Sequence, residues 1–99
     1  MSKIRLGILG GGQLGSMLSA AAKKLDVKSI IFSDDKYAPA QKFCDEFIFA
    51  KYDDKNKIYE FSRKVDYITF EFENIPYDTL EELSKLKQVS PKPSINRII

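Results

Sequence analysis

Apolar and polar positions alternate in blocks that predict strands and helices in turn along the chain. Runs rich in Ile, Leu, Val, Phe and Tyr predict five strands, at residues 3–9, 28–33, 46–50, 67–72 and, as a short fifth strand, 88–89. Between them, apolar residues recur at three- and four-residue intervals, the period of a helix with one buried face. The predicted helices span residues 13–25, 55–64 and 76 to about 87, with a shorter helix over 39–44.

The first helix shows the helical period over its whole length. Its apolar residues lie at positions i, i+3, i+4, i+7, i+8 and i+11, and they are Leu14, Met17, Leu18, Ala21, Ala22 and Leu25. We therefore expect this face to pack inward. In the second and third helices, the residues predicted to point inward are Ile58, Phe61, Leu80, Leu83 and Leu86. Asp53 or Asp54 is the predicted N-terminal cap of the second helix, and Pro76 is predicted to lie in the first turn of the third.

Successive strand–helix units of this length require right-handed crossovers and a parallel sheet. The sequence therefore predicts an α/β fold, a Rossmann-like parallel sheet of four to five strands flanked by helices, with the strand order 3-2-1-4-5. A ligand then binds beyond the carboxyl ends of strands one and four, where the strand order reverses. Residues 1–89 form this domain, and residues 90–99, which include two prolines, are predicted to be a linker and the start of a further helix.

All five glycines of the chain lie between Gly7 and Gly15. A strand followed by Gly10-x-Gly12-x-x-Gly15 and a helix is the opening of a nucleotide-binding βαβ unit, because glycine permits a sharp turn and a close approach to a ligand. Tight packing of strand on helix is the structural alternative. The other segment expected at the same crevice runs from Glu71 to Pro76.

Composition narrows the function classes. The chain has 99 residues and a net charge of +2, which gives no footprint for nucleic acid or an anionic membrane. It contains no histidine and no apolar run of about 20 residues, so the commonest zinc ligand and a membrane-spanning helix are both missing. The single cysteine, Cys44, and the lack of a signal-peptide pattern favour a cytoplasmic protein.

Two segments carry a family resemblance. Gly10-Gly11-Gly12-Gln13-Leu14-Gly15 resembles the N-terminal loop of the ATP-grasp carboxylases of purine synthesis. Thr69-Phe70-Glu71-Phe72-Glu73-Asn74-Ile75-Pro76 resembles the second signature of the 5-(carboxyamino)imidazole ribonucleotide synthetase family. Ser16 departs from that family, which usually has Arg there. The resemblance implies that this chain is the N-terminal, pre-ATP-grasp domain, and that the ATP-grasp domain follows the linker.

The resemblance also implies the chemistry. The family joins bicarbonate to the amine of aminoimidazole ribonucleotide, with ATP and Mg²⁺ bound outside this domain, so we expect no cofactor, metal ligand or catalytic residue here and no activity of the fragment alone. The expected substrate-binding residues are Gly12, Gln13, Leu14, Gly15, Glu71, Glu73 and Asn74. Amides at the start of the first helix suit a phosphate or ribose oxygen, and Glu71 is expected to orient the amine. A homodimer is left open.

Several alternatives stay open at this stage. Glu71 and Glu73 both lie at the end of the predicted fourth strand, and we expect one of them to face the crevice; we favour Glu71, and Glu73 or Asn74 then caps the next helix. An NAD(P)-binding domain of an oxidoreductase is the second hypothesis, since Asp34 follows Gly15 at the spacing of a ribose-binding acid. Against it, carboxylates after strand four would repel a pyrophosphate. A stand-alone ligand sensor is the third.

Overall fold

The computed structural model of the chain describes residues 4–71 and 75–90. Five parallel strands form one sheet in the order β3-β2-β1-β4-β5. The strands are β1 Arg5–Leu9, β2 Lys28–Ser33, β3 Glu46–Phe49, β4 Tyr67–Phe70 and β5 Gln88–Val89. The helices are α1 Gln13–Lys24, α2 Lys55–Lys64 and α3 Tyr77–Ser84, with a 3₁₀ helix at Pro39–Lys42. The predicted class, strand number and strand order are confirmed.

The helices cover both faces of the sheet. Because side chains alternate along a strand, neighbouring residues of β1 and β2 belong to different sides. Leu9 and Phe32 pack beneath α2 and α3, in a core that also contains Phe61 and Leu80. Ile8 and Ile31 pack on the opposite face, in a smaller cluster completed by α1 and the 3₁₀ helix. Burial on both faces explains why the strands read as nearly continuous apolar runs.

The predicted inward face of α1 is wrong in part. Leu14, Met17 and Leu25 are 41%, 61% and 75% exposed, whereas the residues of α1 that are buried are small, namely Gly15, Ser19 and Ala22. The glycine shows why, because a Cβ built on Gly15 would lie 2.7 Å from the Gly10 carbonyl oxygen. The helix therefore packs on the sheet through its smallest residues. Its buried face is rotated about the helix axis by roughly one residue from the predicted apolar face.

The ends of the later elements differ slightly from the predictions. β4 ends at Phe70 instead of residue 72, because its pairing with β1 ends where the glycine loop begins. Asp54 caps α2 by accepting from the Lys57 amide at 3.2 Å. Pro76 precedes α3 in an extended conformation, and Leu86 lies beyond that helix and is 39% exposed.

Three segments lie outside the described residues, namely 1–3, 72–74 and 91–99. The predictions for Glu73, Asn74 and nearly all of the linker fall within them. Across the residues described, no helix is long and apolar enough to cross a membrane.

Candidate functional site

The glycine loop forms the floor of the candidate site. Gly10 follows β1 with φ +106°, a conformation that side-chain-bearing residues rarely adopt, and its amide donates to the Phe32 carbonyl at 2.8 Å. Gly12 precedes α1 as its N-cap without supplying a side-chain acceptor. The Gly11 carbonyl accepts from the Ala40 amide at 2.9 Å. The loop is therefore fixed by backbone contacts on both sides.

The carboxylate of Glu71 lies inside this loop. Its Oε1 accepts a hydrogen bond from the Gly15 amide at 2.8 Å. A Cβ on Gly10 would lie 2.8 Å from Oε2, and one on Gly12 would lie 3.3 Å from both carboxylate oxygens. Gly10 and Gly12 therefore leave room here for a side chain of the same chain. The position where a βαβ loop would receive an external anion already holds a negative charge.

This arrangement decides which predicted contacts are available. The Gly15 amide is engaged by Glu71, while Gln13 and Leu14 are exposed in the first turn of α1. Glu71 Oε2 accepts no hydrogen bond from the described residues, and it lies on the Gly10 side of the loop. The segment 12–15 and Glu71 are thus neighbours in the structure, but of these residues only Gly12 and Glu71 line the pocket above the loop, and Gln13, Leu14 and Gly15 do not.

A small pocket of about 130 Å³ opens above the loop. Its walls come from the glycine loop, the turn after β2, residue 52 and Glu71, and the lining residues are Gly10, Gly11, Gly12, Ser33, Asp34, Asp35, Ala38, Pro39, Tyr52 and Glu71. The turn is held by side chains, since the Ser33 hydroxyl accepts from the Asp35 amide at 3.1 Å and the Asp35 carboxylate accepts from the Tyr37 amide at 2.9 Å. The lining contains three carboxylates and no cationic side chain.

Tyr52 is a pocket residue that the sequence did not reveal. It is 8% exposed, its ring packs 5.8 Å from that of Phe32, and its carbonyl accepts from the Thr79 hydroxyl at 2.7 Å. Burial, and then the charges of Asp34 and Glu71, raise the pKa of Tyr52 to about 12, against hydrogen bonds from the Ser33 side chain and the Asp34 backbone. The phenol is therefore protonated at neutral pH. A tyrosine in the loop after β3 has no motif around it, so nothing in the sequence singled it out.

A larger cavity of about 310 Å³ lies between α2 and α3. It is lined by Tyr52, Asp53, Lys55, Ile58, Tyr59, Asp78, Thr79 and Glu82. None of the predicted site residues that the structure describes borders it. The smaller pocket is the better candidate because the constrained loop and the converging polar groups are there, and these features mark a binding site more specifically than volume does.

Metal and thiol chemistry find little support in the described part of the chain. No group of three or more His, Cys, Asp or Glu residues there is placed to hold a metal ion. Cys44 is half-buried beside the smaller apolar cluster, and this burial raises the pKa of its thiol. The thiol form is the weaker nucleophile.

Comparisons with known proteins agree with one another. A family model described as the ribonucleotide synthetase preATP-grasp domain matches residues 1–99. The chain is 37% identical over 84 residues to the N5-carboxyaminoimidazole ribonucleotide synthase of Staphylococcus epidermidis, a match that covers 85% of this chain and 22% of that protein.

Solved structures show the same relationship. N5-carboxyaminoimidazole synthetase from Staphylococcus aureus complexed with ADP is similar, with a TM-score of 0.87 and 34% identity over 96% of this chain and 26% of that one. The Aspergillus clavatus enzyme in complex with ADP and 5-aminoimidazole ribonucleotide has a TM-score of 0.82 and 25% identity over 96% of this chain and 26% of that one. The chain thus spans about a quarter of the length of these relatives.

Proposed function

Because the chain belongs to the ribonucleotide synthetase preATP-grasp domain family, we propose that it is the substrate-side domain of an ATP-dependent ligase. The ligase carboxylates 5-aminoimidazole ribonucleotide with bicarbonate in purine biosynthesis, in the cytoplasm. Since the chain spans about a quarter of its relatives, ATP and Mg²⁺ are assigned to domains outside it. When bound there, ATP supplies the activation of bicarbonate. Self-association into a homodimer is part of the same proposal.

The placement of Glu71 in the glycine loop is the observation that carries the proposal. The carboxylate satisfies the Gly15 amide with Oε1 and leaves Oε2 to accept from a ligand. An amine is the partner that such an oxygen suits, because a carboxylate accepts hydrogen bonds and repels anions. Holding the substrate amine at a fixed position lowers the entropic part of the barrier to its attack on the activated carboxyl group.

The same placement disfavours a dinucleotide. A phosphate about 4 Å from the Glu71 carboxylate would be repelled by about 4 kcal/mol at an effective dielectric of about 20. Asp34 lies in the pocket at the position of a ribose-binding acid, yet the amide that would hold a pyrophosphate already donates to Glu71. The oxidoreductase alternative is therefore not favoured.

Glu73 and Asn74 complete the proposed substrate-binding set with Gly12, Gln13, Leu14, Gly15 and Glu71. Glu71 is assigned the amine, and Glu73 is assigned a lesser role in substrate binding or a cap of the following helix. No residue of this chain is assigned a covalent or proton-transfer step.

A chimera tests the proposal. Residues 1–99 replace the matching N-terminal segment of the S. epidermidis synthase, and ATP hydrolysis dependent on aminoimidazole ribonucleotide and bicarbonate is measured. We expect activity, and we expect Glu71→Gln to lower kcat/KM by about 10- to 150-fold, the worth of one charge-assisted hydrogen bond. Glu73→Gln is the matched control, with a much smaller expected effect. Equal and small effects at both positions would contradict the assignment.

The isolated chain gives the complementary test. It should show no bicarbonate-dependent ATP hydrolysis and no binding of NAD(H) or NADP(H) at millimolar concentration by calorimetry. Micromolar affinity for NAD would reverse the choice between the two hypotheses.

A further inference from the structure

The pocket above the glycine loop contains an excess of hydrogen-bond acceptors. Asp34, Asp35 and Glu71 contribute carboxylates, and none of the lining residues is Lys or Arg. A ligand that offered only donors would satisfy these groups. A ribonucleotide, however, also presents uncharged oxygen acceptors on its sugar, and these acceptors need a donor from the protein.

Two buried side chains of this lining carry a neutral hydroxyl donor, Ser33 and Tyr52. Ser33 belongs to the turn after β2, where its hydroxyl accepts from the Asp35 amide, whereas Tyr52 is held by contacts outside that turn. Its ring packs against Phe32, and its main chain is held by the Thr79 hydroxyl. Only 8% of the residue is exposed. A side chain held in this way loses little conformational entropy when a ligand binds, so a hydrogen bond from it adds to affinity nearly undiminished.

The hydroxyl has its own proton available. The Ser33 side chain and the Asp34 backbone lower the pKa of the phenol as hydrogen-bonding neighbours, which places the hydroxyl on the side of the turn after β2. The charged groups acting on it are Asp34 and Glu71, and both favour the protonated phenol. Within the described residues, the phenol donates no hydrogen bond to a side chain or a carbonyl oxygen.

We propose that Tyr52 is a substrate-binding residue that donates its phenol proton to an uncharged sugar oxygen of the ribonucleotide, beside the amine accepted by Glu71. The proposal rests on the proposed function and deepens it. In the proposed site, Tyr52 donates a hydrogen bond to the sugar and Glu71 accepts one from the neighbouring amine. Tyr52 also lies outside the two sequence segments that carry the family resemblance.

The Tyr52→Phe variant tests this assignment, because it removes only the hydroxyl. In the chimera we expect KM for aminoimidazole ribonucleotide to rise by about 3- to 10-fold, the range for one neutral hydrogen bond, with kcat and the KM for ATP unchanged. Tyr59→Phe is the matched control, since Tyr59 is a partly exposed tyrosine of α2 that does not line this pocket. It should leave all three constants unchanged.

A purely structural role would give a different pattern. If Tyr52 has only a structural role, the variant should show a lower melting temperature, or its kcat and its KM for ATP should both change. If Glu71→Gln impairs the chimera while Tyr52→Phe matches the unsubstituted protein, the assignment of Tyr52 is overturned and the proposed function stands.

If the chimera is inactive, the proposal is tested on the isolated chain. There, 5-aminoimidazole ribonucleoside is titrated to millimolar concentration and followed by amide NMR shifts. Shifts at Gly12 and in the turn at residues 33–35 that weaken in Tyr52→Phe and persist in Tyr59→Phe would support the proposal. Shifts that are the same in both variants, or no shifts at all, would overturn it.

Discussion

Removing the Glu71 carboxylate is expected to destabilise the isolated domain, apart from any effect on a ligand. The carboxylate accepts from the Gly15 amide at 2.8 Å across 56 residues of sequence, so it ties the segment after β4 to the start of α1. A hydrogen bond to a charged group contributes about 1.5–3 kcal/mol, and an anion at a helix N-terminus adds about 0.3–1 kcal/mol. We expect Glu71→Ala to lower the free energy of unfolding by about 2–3 kcal/mol.

The Glu71→Gln variant removes the negative charge and keeps an oxygen that can accept the hydrogen bond from the Gly15 amide. The amide oxygen can still accept from Gly15, so the expected loss is only about 1 kcal/mol, mostly from the charge. The matched control is Glu81→Ala, because Glu81 is an exposed glutamate of α3, where alanine is also the better helix former. Its expected change is within about 0.5 kcal/mol.

Urea unfolding followed by circular dichroism measures these differences. With a slope of about 1–1.5 kcal/mol per molar urea, Glu71→Ala should move the midpoint down by about 1.5–2.5 M with the slope unchanged. The order expected is Ala below Gln below the unsubstituted chain. A Glu71→Ala midpoint equal to that of Glu81→Ala would refute the conclusion that the carboxylate holds the loop.

Three further substitutions probe the packing and charge of the fold. Gly15→Ala should lower the free energy of unfolding in urea by about 2 kcal/mol or more, because the new Cβ would lie 2.7 Å from the Gly10 carbonyl oxygen. This loss is expected although alanine has the better helix propensity, by about 1 kcal/mol. A variant more stable than the unsubstituted chain would contradict the close packing of α1. Ser19→Ala should stabilise the chain by about 1 kcal/mol, because its buried hydroxyl has no partner within 4–71 and 75–90. Ser62→Ala loses a 2.7 Å hydrogen bond to the Tyr59 carbonyl, and equal changes in the two variants would contradict this reasoning. The Arg5 amide donates to the Asp66 carboxylate and lowers its pKa, and the Arg5 guanidinium lowers it further by a smaller amount. The folded protein therefore loses stability as the pH drops below about 4, where this carboxylate becomes protonated. Melting curves of Asp66→Asn should lack that part of the decline.

The strand order was predictable because the sequence carries it in strong local signals. Apolar runs and helical periods located each element, and the parallel βα succession left few possible arrangements. The orientation of α1 was not predictable from its apolar stripe. The close contact of Gly15 with the Gly10 carbonyl decided it, and that contact depends on the path of the loop, which hydrophobic periodicity does not describe.

The candidate site was predictable at the level of segments and less so at the level of atoms. Sequence placed the glycine loop and the segment after β4 at one edge, and Glu71 meets the loop there. That the carboxylate itself would occupy the start of α1 did not follow from the pattern, since the same glycines would serve an external phosphate. Tyr52 enters the pocket from the loop after β3, and only the folded chain brings it beside Asp34.

A glycine-rich loop therefore identifies a place where a neighbouring group comes close to the backbone, without saying whether that group belongs to a ligand or to the protein. In this chain Gly10 and Gly12 both have Glu71 as the neighbour that a Cβ would meet. This internal carboxylate takes up the Gly15 amide at the start of α1, so that amide is not available to an external anion. A loop of the kind common to dinucleotide-binding domains is thus filled by one residue 56 positions after Gly15, and the proposed function assigns the amine of the substrate to that residue.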